Sequence, residues 1–476
     1  MTKEIQTRRT FLKNLSAGTA FLSIPLLHCR QLNPKQKPNI IYILADDLGY
    51  GDLGCYGQQN IKTPNLDKMS AEGIRFTDHY AGSTVCAPSR CTLMTGQHTG
   101  HARIRGNATV PLKPEDMTVA EMLQKSGYVT GLIGKWGLGE QGTTGIPNRK
   151  GFNFFYGYLN QIRAHNYYPE WLWENQTQIQ LDNKVVFSDS GYAKGIGTAS
   201  TNKVTYSHDL FTQQALNFIE NNKNQNFFLY LAYTIPHANN QYQLVNSEHG
   251  MEVPEYGIYK DLDWPAAQKG HAAIISRMDR DIGVLLNTIK ELGLDENTII
   301  MFSSDNGPHK EGGADPDFNH SSGKLKGKKR DLYEGGIRVP MIARWPGKIQ
   351  PNTVTDHVSA FWDVLPTCAH LAGVAHPDKI DGLSFLPVLL GKISEQQQHE
   401  FLYWEFHEGQ YSKVAVRMGD WKAVRLAPHS LIELYDLKND REENKNIASQ
   451  NQDIVKKIEK YLKKARTKSE HWEIRS

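Results

Sequence analysis

The chain has 476 residues, 54 Lys and Arg against 51 Asp and Glu, and a formal net charge of +3; 39% of residues are hydrophobic and the mean hydropathy is −0.53. That length exceeds a single compact core, and the composition excludes a disordered chain and a multi-span membrane protein. The mild positive balance tolerates anionic partners without selecting them, and no basic arm interleaved with aromatics marks a nucleic-acid surface, so no nucleic-acid partner is expected.

In chain order, Thr7-Arg8-Arg9-Thr10-Phe11-Leu12-Lys13 matches a twin-arginine export signal. The apolar stretch from Leu15 to Leu27 is short for a membrane span and carries its positive charge in front. Residues 1–30 are therefore expected to be a signal peptide that sends the protein to the periplasm or out of the cell, with no integral membrane span in the mature form. Leu26-Leu27-His28-Cys29 loosely resembles a lipoprotein cleavage box, but His28 is a poor residue there, so anchoring at Cys29 is the lesser expectation.

Asn39 to Leu44 is a short, nearly continuous apolar run rich in β-branched residues and reads as a buried strand running into Ala45-Asp46-Asp47. Thr63-Pro64 opens a helix with Thr63 as capping residue. Thr118 to Lys125 is expected to be helical and Tyr128 to Ile133 a strand. A helix from Asp209 to Asn221, a strand from Asn226 to Tyr233, a long helix from Ala266 to Leu292 and a strand from Asn297 to Phe302 follow, the last running into Ser304-Asp305-Asn306. This alternation argues an α/β fold with a large, mainly parallel sheet flanked by helices. Ligands of such sheets sit outside the carboxyl ends of the strands. Asp46-Asp47, Lys135, His237 and Asp305-Asn306 all fall at such ends, so four polar clusters distant in sequence are expected on one rim.

Composition changes after about residue 385. Phe401 to Glu405, Ser412 to Met418, Trp421 to Leu426 and Leu431 to Asp436 read as a meander of short strands, closed by a helix from Asp453 to Ala465. The division expected is a catalytic domain over residues 37–384 and a small antiparallel α+β subdomain over 385–476.

There are five cysteines, Cys29, Cys55, Cys86, Cys91 and Cys368, and their scattered spacing is neither a disulfide framework nor a zinc-ligand pattern. Cys86 lies in Ser83-Thr84-Val85-Cys86-Ala87-Pro88-Ser89-Arg90, followed by Thr95-Gly96. Cys-x-Pro-Ser-Arg followed by Thr-Gly resembles the sulfatase signature, a formylglycine-dependent, arylsulfatase A-like family of alkaline-phosphatase-like fold. The likeness extends from Asn39 to about Asp436.

The resemblance implies a sulfuric ester hydrolase in which Cys86 is oxidised to formylglycine (3-oxoalanine) by a formylglycine-generating enzyme. The aldehyde hydrate attacks sulfur with one hydroxyl, and the other hydroxyl lets the aldehyde reform as sulfate leaves. Pro88 suits the first turn of a helix, which places Cys86 at an N-terminus that favours an anion, and Arg90 is positioned to hold the modified side chain or the anionic centre. Asp46, Asp47, Asp305 and Asn306 offer hard oxygen donors without His or Cys, which suits calcium or magnesium; the resemblance assigns them, with the residue 86 side chain, to one calcium ion. It further implies that Lys135 and Lys329 bind sulfate oxygens, and that His237 binds sulfate and protonates the departing alcohol. Where many members read Gly-Lys-Trp-His-Leu-Gly, this chain has Gly137 in place of the histidine. His165, in Arg163-Ala164-His165-Asn166, is the candidate replacement, with a role in shaping the substrate pocket as the alternative. Arg105 and Asn107, in a polar basic segment soon after the nucleophile, are candidate substrate contacts. Tyr167, Tyr168, Trp171 and Trp173 suit either sugar stacking or core packing.

The expected substrate is a sulfated polysaccharide or its oligosaccharides, or an aryl sulfate. Two competing functions are a phosphonate or phosphodiester hydrolase of the same superfamily, and a non-catalytic binder of sulfated glycan. The first more often builds its metal site with His, whereas Asp305-Asn306-Gly307 carries Asn.

Overall fold

A continuous apolar run can be buried only if both its faces meet a core, and Asn39–Ala45 (β1) does so: every residue in it is buried. Ile40, Tyr42 and Leu44 enter one hydrophobic core, and Ile41, Ile43 and Ala45 enter the other. The computed structural model describes residues 37–475, so the twin-arginine segment and Cys29 lie outside the described residues.

Ile74–Phe76 (β2), Val129–Lys135 (β3), Phe154–Tyr158 (β4), Trp171–Glu174 (β5), Thr177–Gln180 (β6), Phe227–Ala232 (β7), Thr298–Ser304 (β8), Met341–Arg344 (β9) and Thr353–Thr355 (β10) complete the large sheet. Among the described residues it has ten strands in the order β10-β2-β9-β8-β1-β7-β3-β4-β5-β6. The five central strands β8, β1, β7, β3 and β4 are parallel, while β5, β6 and β9 add antiparallel neighbours. Register aligns the strand ends: Ala45 pairs with Ser304, and Ala232 with Gly134. The side chains that follow β1, β8 and β7, and Lys135 at the end of β3, therefore emerge at one rim. Strand β3 runs two residues past the expected Ile133, which makes Lys135 its final residue rather than one beyond it.

Helices Pro64–Ala71 (α1), Cys86–Thr95 (α2), Val119–Lys125 (α3), Ser207–Asn221 (α4), Ala266–Glu291 (α5) and Val364–Ala372 (α6) cover the two faces, with α2, α3 and α6 on one core and α1, α4 and α5 on the other. Thr63 does not cap α1 through its side chain. Its hydroxyl instead contacts Asp67 at 3.2 Å and accepts the Gly54 N–H. The free N–H groups of Asn65 and Leu66 are taken by the Asp279 carboxylate of α5, at 3.1 and 2.7 Å, a partner that local spacing cannot reveal.

Leu402–Phe406 (β11), Lys413–Met418 (β12), Trp421–Arg425 (β13) and Glu433–Asp436 (β14) form the antiparallel meander, with Gln452–Lys464 (α7) packed on it. Trp404 of β11 buries its ring and donates its indole N–H to Ala81 O at 2.9 Å, which ties this sheet to the chain entering α2.

Candidate active site

Asp46 and Asp47 follow β1, and Asp305 and Asn306 follow β8; all four are fully buried. Asp47 has φ of 64°, left-handed backbone that a non-glycine residue adopts at a cost and that re-aims its side chain. Its N–H donates to Asp305 Oδ1 at 3.0 Å, and its carboxylate accepts from Asn306 Nδ2 at 2.6 Å and Lys329 Nζ at 2.8 Å. Asp46 accepts from Lys135 Nζ at 2.6 Å. Burial alone would raise Asp46, but Lys135 and Arg90 outweigh it and hold the carboxyl well below the usual range. Asp305 goes the other way: burial, and then the Asp46 charge, push it up to about 7. Asn306 Oδ1 is buried without a partner among the described residues.

Cys86 is the first residue of α2, whose ten residues are all buried. Val85 at the N-cap has no capping side chain and Asn107 takes only the Ala87 N–H, so other free N–H groups and the positive end of the helix dipole remain at the rim. The thiol lies 3.5 Å from Asp46 Oδ1. Burial, reinforced by Asp46, raises it far above the ordinary thiol range, so an unmodified Cys86 is a poor thiolate nucleophile. Ligand atoms of Asp46, Asp47, Cys86 and His237 all lie within 4.8 Å of one another.

Arg90 does not reach the cavity. Its Nε and Nη2 donate to Asp305 Oδ2 at 3.1 and 3.0 Å, its Nη1 donates to Lys135 O at 2.6 Å, and Nη2 lies 3.4 Å from Asp46. It positions the carboxylates and the end of β3 rather than the anion.

Lys329 also donates to His237 Nε2 at 3.0 Å. His237 Nδ1–H donates to Ala238 O at 2.7 Å, which leaves Nε2 as the acceptor in the resting site. Burial and then Lys329 lower its pKa well below the ordinary value, so the ring is neutral. His165, in a 3-10 turn at Arg163–His165, stacks on His237 at 4.4 Å and 14°. Its Nδ1 is buried without a partner among the described residues, and burial followed by His237 lowers its pKa well below normal. Gly137 has φ of 80°, and a Cβ there would sit 2.7 Å from Gln161 Cγ. Gln161 therefore fills the space a side chain at 137 would need.

A cavity of about 500 Å³ opens over these groups, lined among others by Cys86, Asn107, His165, His237 and Lys329. Asn107 is at the wall, as expected, and its Oδ1 accepts the Ala87 N–H at 3.3 Å. Arg105 corrects the expectation: it points away, donating to Glu405 at 3.1 Å and to Ala102 O and Thr467 O, because the C-terminal segment supplies acceptors on that side. Tyr167 and Tyr168 are core residues, while Trp171 packs edge-on against Trp173 beneath the Arg163 guanidinium; none lines the cavity. Sequence reasoning missed Glu311, whose carboxylate lies 3.5 Å from Lys329 and 3.7 Å from His237 Nε2. It also missed Glu140 and Gln161 on the cavity wall. All three lie in irregular segments, where no spacing rule applies.

Known proteins match this chain along nearly all its described length. The family model described as Sulfatase covers residues 38–374, and that described as N-sulphoglucosamine sulphohydrolase, C-terminal, covers residues 327–468. The chain is 32% identical to arylsulfatase A of Homo sapiens over 463 residues, 87% of this chain and 83% of that protein. It is 30% identical over 507 residues to N-acetylgalactosamine-6-O-sulfatase of Bacteroides thetaiotaomicron, 91% of this chain and 94% of that protein. The crystal structure of Ps i-CgsB in complex with k-i-k-neocarrahexaose superposes with a TM-score of 0.74 at 28% identity, over 90% of this chain and 93% of that one.

Proposed function

The chain belongs to the sulfatase family and is a sulfuric ester hydrolase, and on that premise we propose that it removes sulfate from a sulfated carbohydrate, using Cys86 converted to formylglycine and one calcium ion at the rim. The observation that carries this is the convergence of Cys86 with Asp46 and Asp47 within 4.8 Å, flanked by Lys135 and Lys329. The carbohydrate is supported by the relatives, one named for N-acetylgalactosamine 6-O-sulfate and one solved with a neocarrahexaose.

The residues fit the cation. Asp46, Asp47, Asp305 and Asn306 offer oxygen donors alone, which suits calcium, with magnesium as the other hard ion, and Asn306 Oδ1, buried with no hydrogen-bond partner among the described residues, is an oxygen that a cation would satisfy. Three buried carboxylates face three buried cations, Arg90, Lys135 and Lys329. A divalent ion added to that balance leaves the site net positive, which favours a sulfate ester. When present, the ion and the aldehyde hydrate of residue 86 supply Lewis acidity and a nucleophile that can release sulfate again.

This chain's own residues do the rest. Lys135 and Lys329 exchange part of their hold on Asp46 and Asp47 for sulfate oxygens as substrate enters. His237 Nε2 takes a proton from the Lys329 ammonium 3.0 Å away and passes it to the leaving oxygen, so that Lys329 is the proton's source and the ring its relay. His165, neutral and with a free Nδ1, is the base for sulfate release in place of the residue absent at Gly137. The substitution His165→Ala should slow sulfate release at least about 10-fold, and unchanged turnover would remove it from the mechanism.

A phosphodiester hydrolase would call on extra histidine ligands, and His309 lies close to Asp47 and Glu311. Both its ring nitrogens are engaged by backbone, Nε2 with Pro236 O at 3.1 Å and Nδ1 with Glu311 N at 3.0 Å. That arrangement favours the sulfatase. Export by the twin-arginine route to the periplasm or beyond, and maturation by a formylglycine-generating enzyme, belong to the same proposal. The test compares nitrophenyl sulfate with the matching phosphate diester on converted enzyme. Sulfate release should dominate, and preferential diester cleavage would refute the proposal.

A further inference from the structure

The cavity is chemically two-sided. On one side, Lys329 and His237 face Cys86 and the carboxylate rim. The rest of the wall carries amides, hydroxyls and two carboxylates, Glu140 and the Arg330-paired Glu408. Asn160 fixes the first: its Nδ2 donates to Glu140 Oε1 at 2.8 Å, while its Oδ1 accepts the N–H groups of Ile162 and Arg163 at 2.8 and 3.2 Å. The second Glu140 oxygen has no partner, and no Lys or Arg pairs with Glu140, among the described residues. The other cation on the wall is already neutralised, because Arg330 donates to Glu311 at 2.5 Å and to Glu408 at 2.8 Å. Among the described residues that line the cavity, Lys329 beside Cys86 and the paired Arg330 are the cations, and no other Lys or Arg is there to meet a second anionic group.

Resting on the sulfatase reading above, we propose that Glu140 is a specificity-determining residue that accepts hydrogen bonds from hydroxyls of the sugar ring bearing the sulfate, and that the pocket selects singly sulfated, otherwise uncharged sugars. A carboxylate already held by one amide presents a fixed acceptor to a ring hydroxyl, and charge-assisted hydrogen bonds of that kind are among the stronger ones. The same carboxylate opposes a uronate or a second sulfate placed against it, since like charges brought together in a cavity are mutually costly. Burial raises the pKa of Glu140 above the ordinary glutamate value, against the lowering effect of Asn160, as expected for an acid without a cationic partner.

The experiment measures kcat/KM of converted, calcium-loaded wild type and Glu140→Gln on three substrates: a singly sulfated neutral hexose, a disaccharide that adds a uronate or second sulfate, and nitrophenyl sulfate. Wild type should favour the neutral sugar over the doubly anionic one by about 10-fold or more. In Glu140→Gln, the ratio of neutral-sugar to nitrophenyl sulfate activity should fall about 10- to 100-fold, mostly through KM, and the discrimination against the second charge should shrink. The inference is overturned if both ratios stay within about twofold of wild type, or if wild type prefers the doubly anionic substrate. A wild type that releases sulfate from none of the three, nitrophenyl sulfate included, would take down the sulfatase reading and this inference with it.

Discussion

Arg90 shows what one side chain does at this site. Its planar fork spans Asp305 Oδ2 and Lys135 O, so a lysine cannot reproduce it. Arg90→Lys should weaken cation binding about 10- to 100-fold, with a parallel loss of kcat, as titration with calcium and turnover assays would show. The members of the candidate site were legible in the sequence as a group: Cys86, Asp46, Asp47, Asp305, Asn306, Lys135, Lys329 and His237 come together in the structure. Arg105 was not legible, because beside the local Ala102 O its acceptors are Glu405 and Thr467, 300 and 362 residues on. Asp52 gives a pH test independent of activity. Burial pushes this carboxyl up to about 7, and its Oδ1 has no partner. A folded pKa above the unfolded value means that stability is fully present at low pH and is lost as pH rises through about 7. Asp52→Asn, which mimics the protonated form, should therefore gain in Tm relative to wild type between pH 5 and pH 8, by the equivalent of up to about 3 kcal/mol. A Tm difference that does not change with pH would contradict it.

At the scale of elements, four of the five strands of the parallel core were readable because burial on both faces produces continuous apolar runs, as in β1 and β7, whereas β4 was not read. The short strands β2, β9 and β10 were not, since three or four residues carry no period to detect. The α1 start was placed correctly and its cap misassigned, because Asp279 reaches it from α5. Removing that carboxylate strands two N–H groups at the buried helix start. Asp279→Ala should cost about 2–4 kcal/mol in denaturant unfolding, well above a typical surface substitution. Helix α2 carries Cys86 at its N-terminus, which meets the rim because the helix body is buried at every position between the sheet and α6.

Across the whole molecule, the meander and the large α/β layer are joined by a buried ionic network that no motif announces. Lys422 of β13 donates to Glu334 at 2.9 Å and to Glu443 at 3.4 Å, and Arg417 of β12 donates to Asp78 at 2.7 Å. Lys422→Ala leaves Glu334 and Glu443 buried with less compensation and should destabilise the protein by about 3–5 kcal/mol, read as a lower unfolding midpoint; a change below about 1 kcal/mol would show that the network is not strongly coupled. The fold class was readable from the alternation of elements, whereas the cavity wall, built from the irregular segments around Glu140 and Gln161, depends on tertiary placement. The central claim is that an aldehyde at residue 86, seated among Asp46, Asp47, Asp305 and Asn306, carries out sulfate ester cleavage. Its most direct test measures, across preparations of graded maturation, the fraction of aldehyde at residue 86 by mass spectrometry together with sulfate release. Turnover should scale with that fraction and vanish in Cys86→Ala; full turnover from protein with an intact Cys86 thiol would contradict the account.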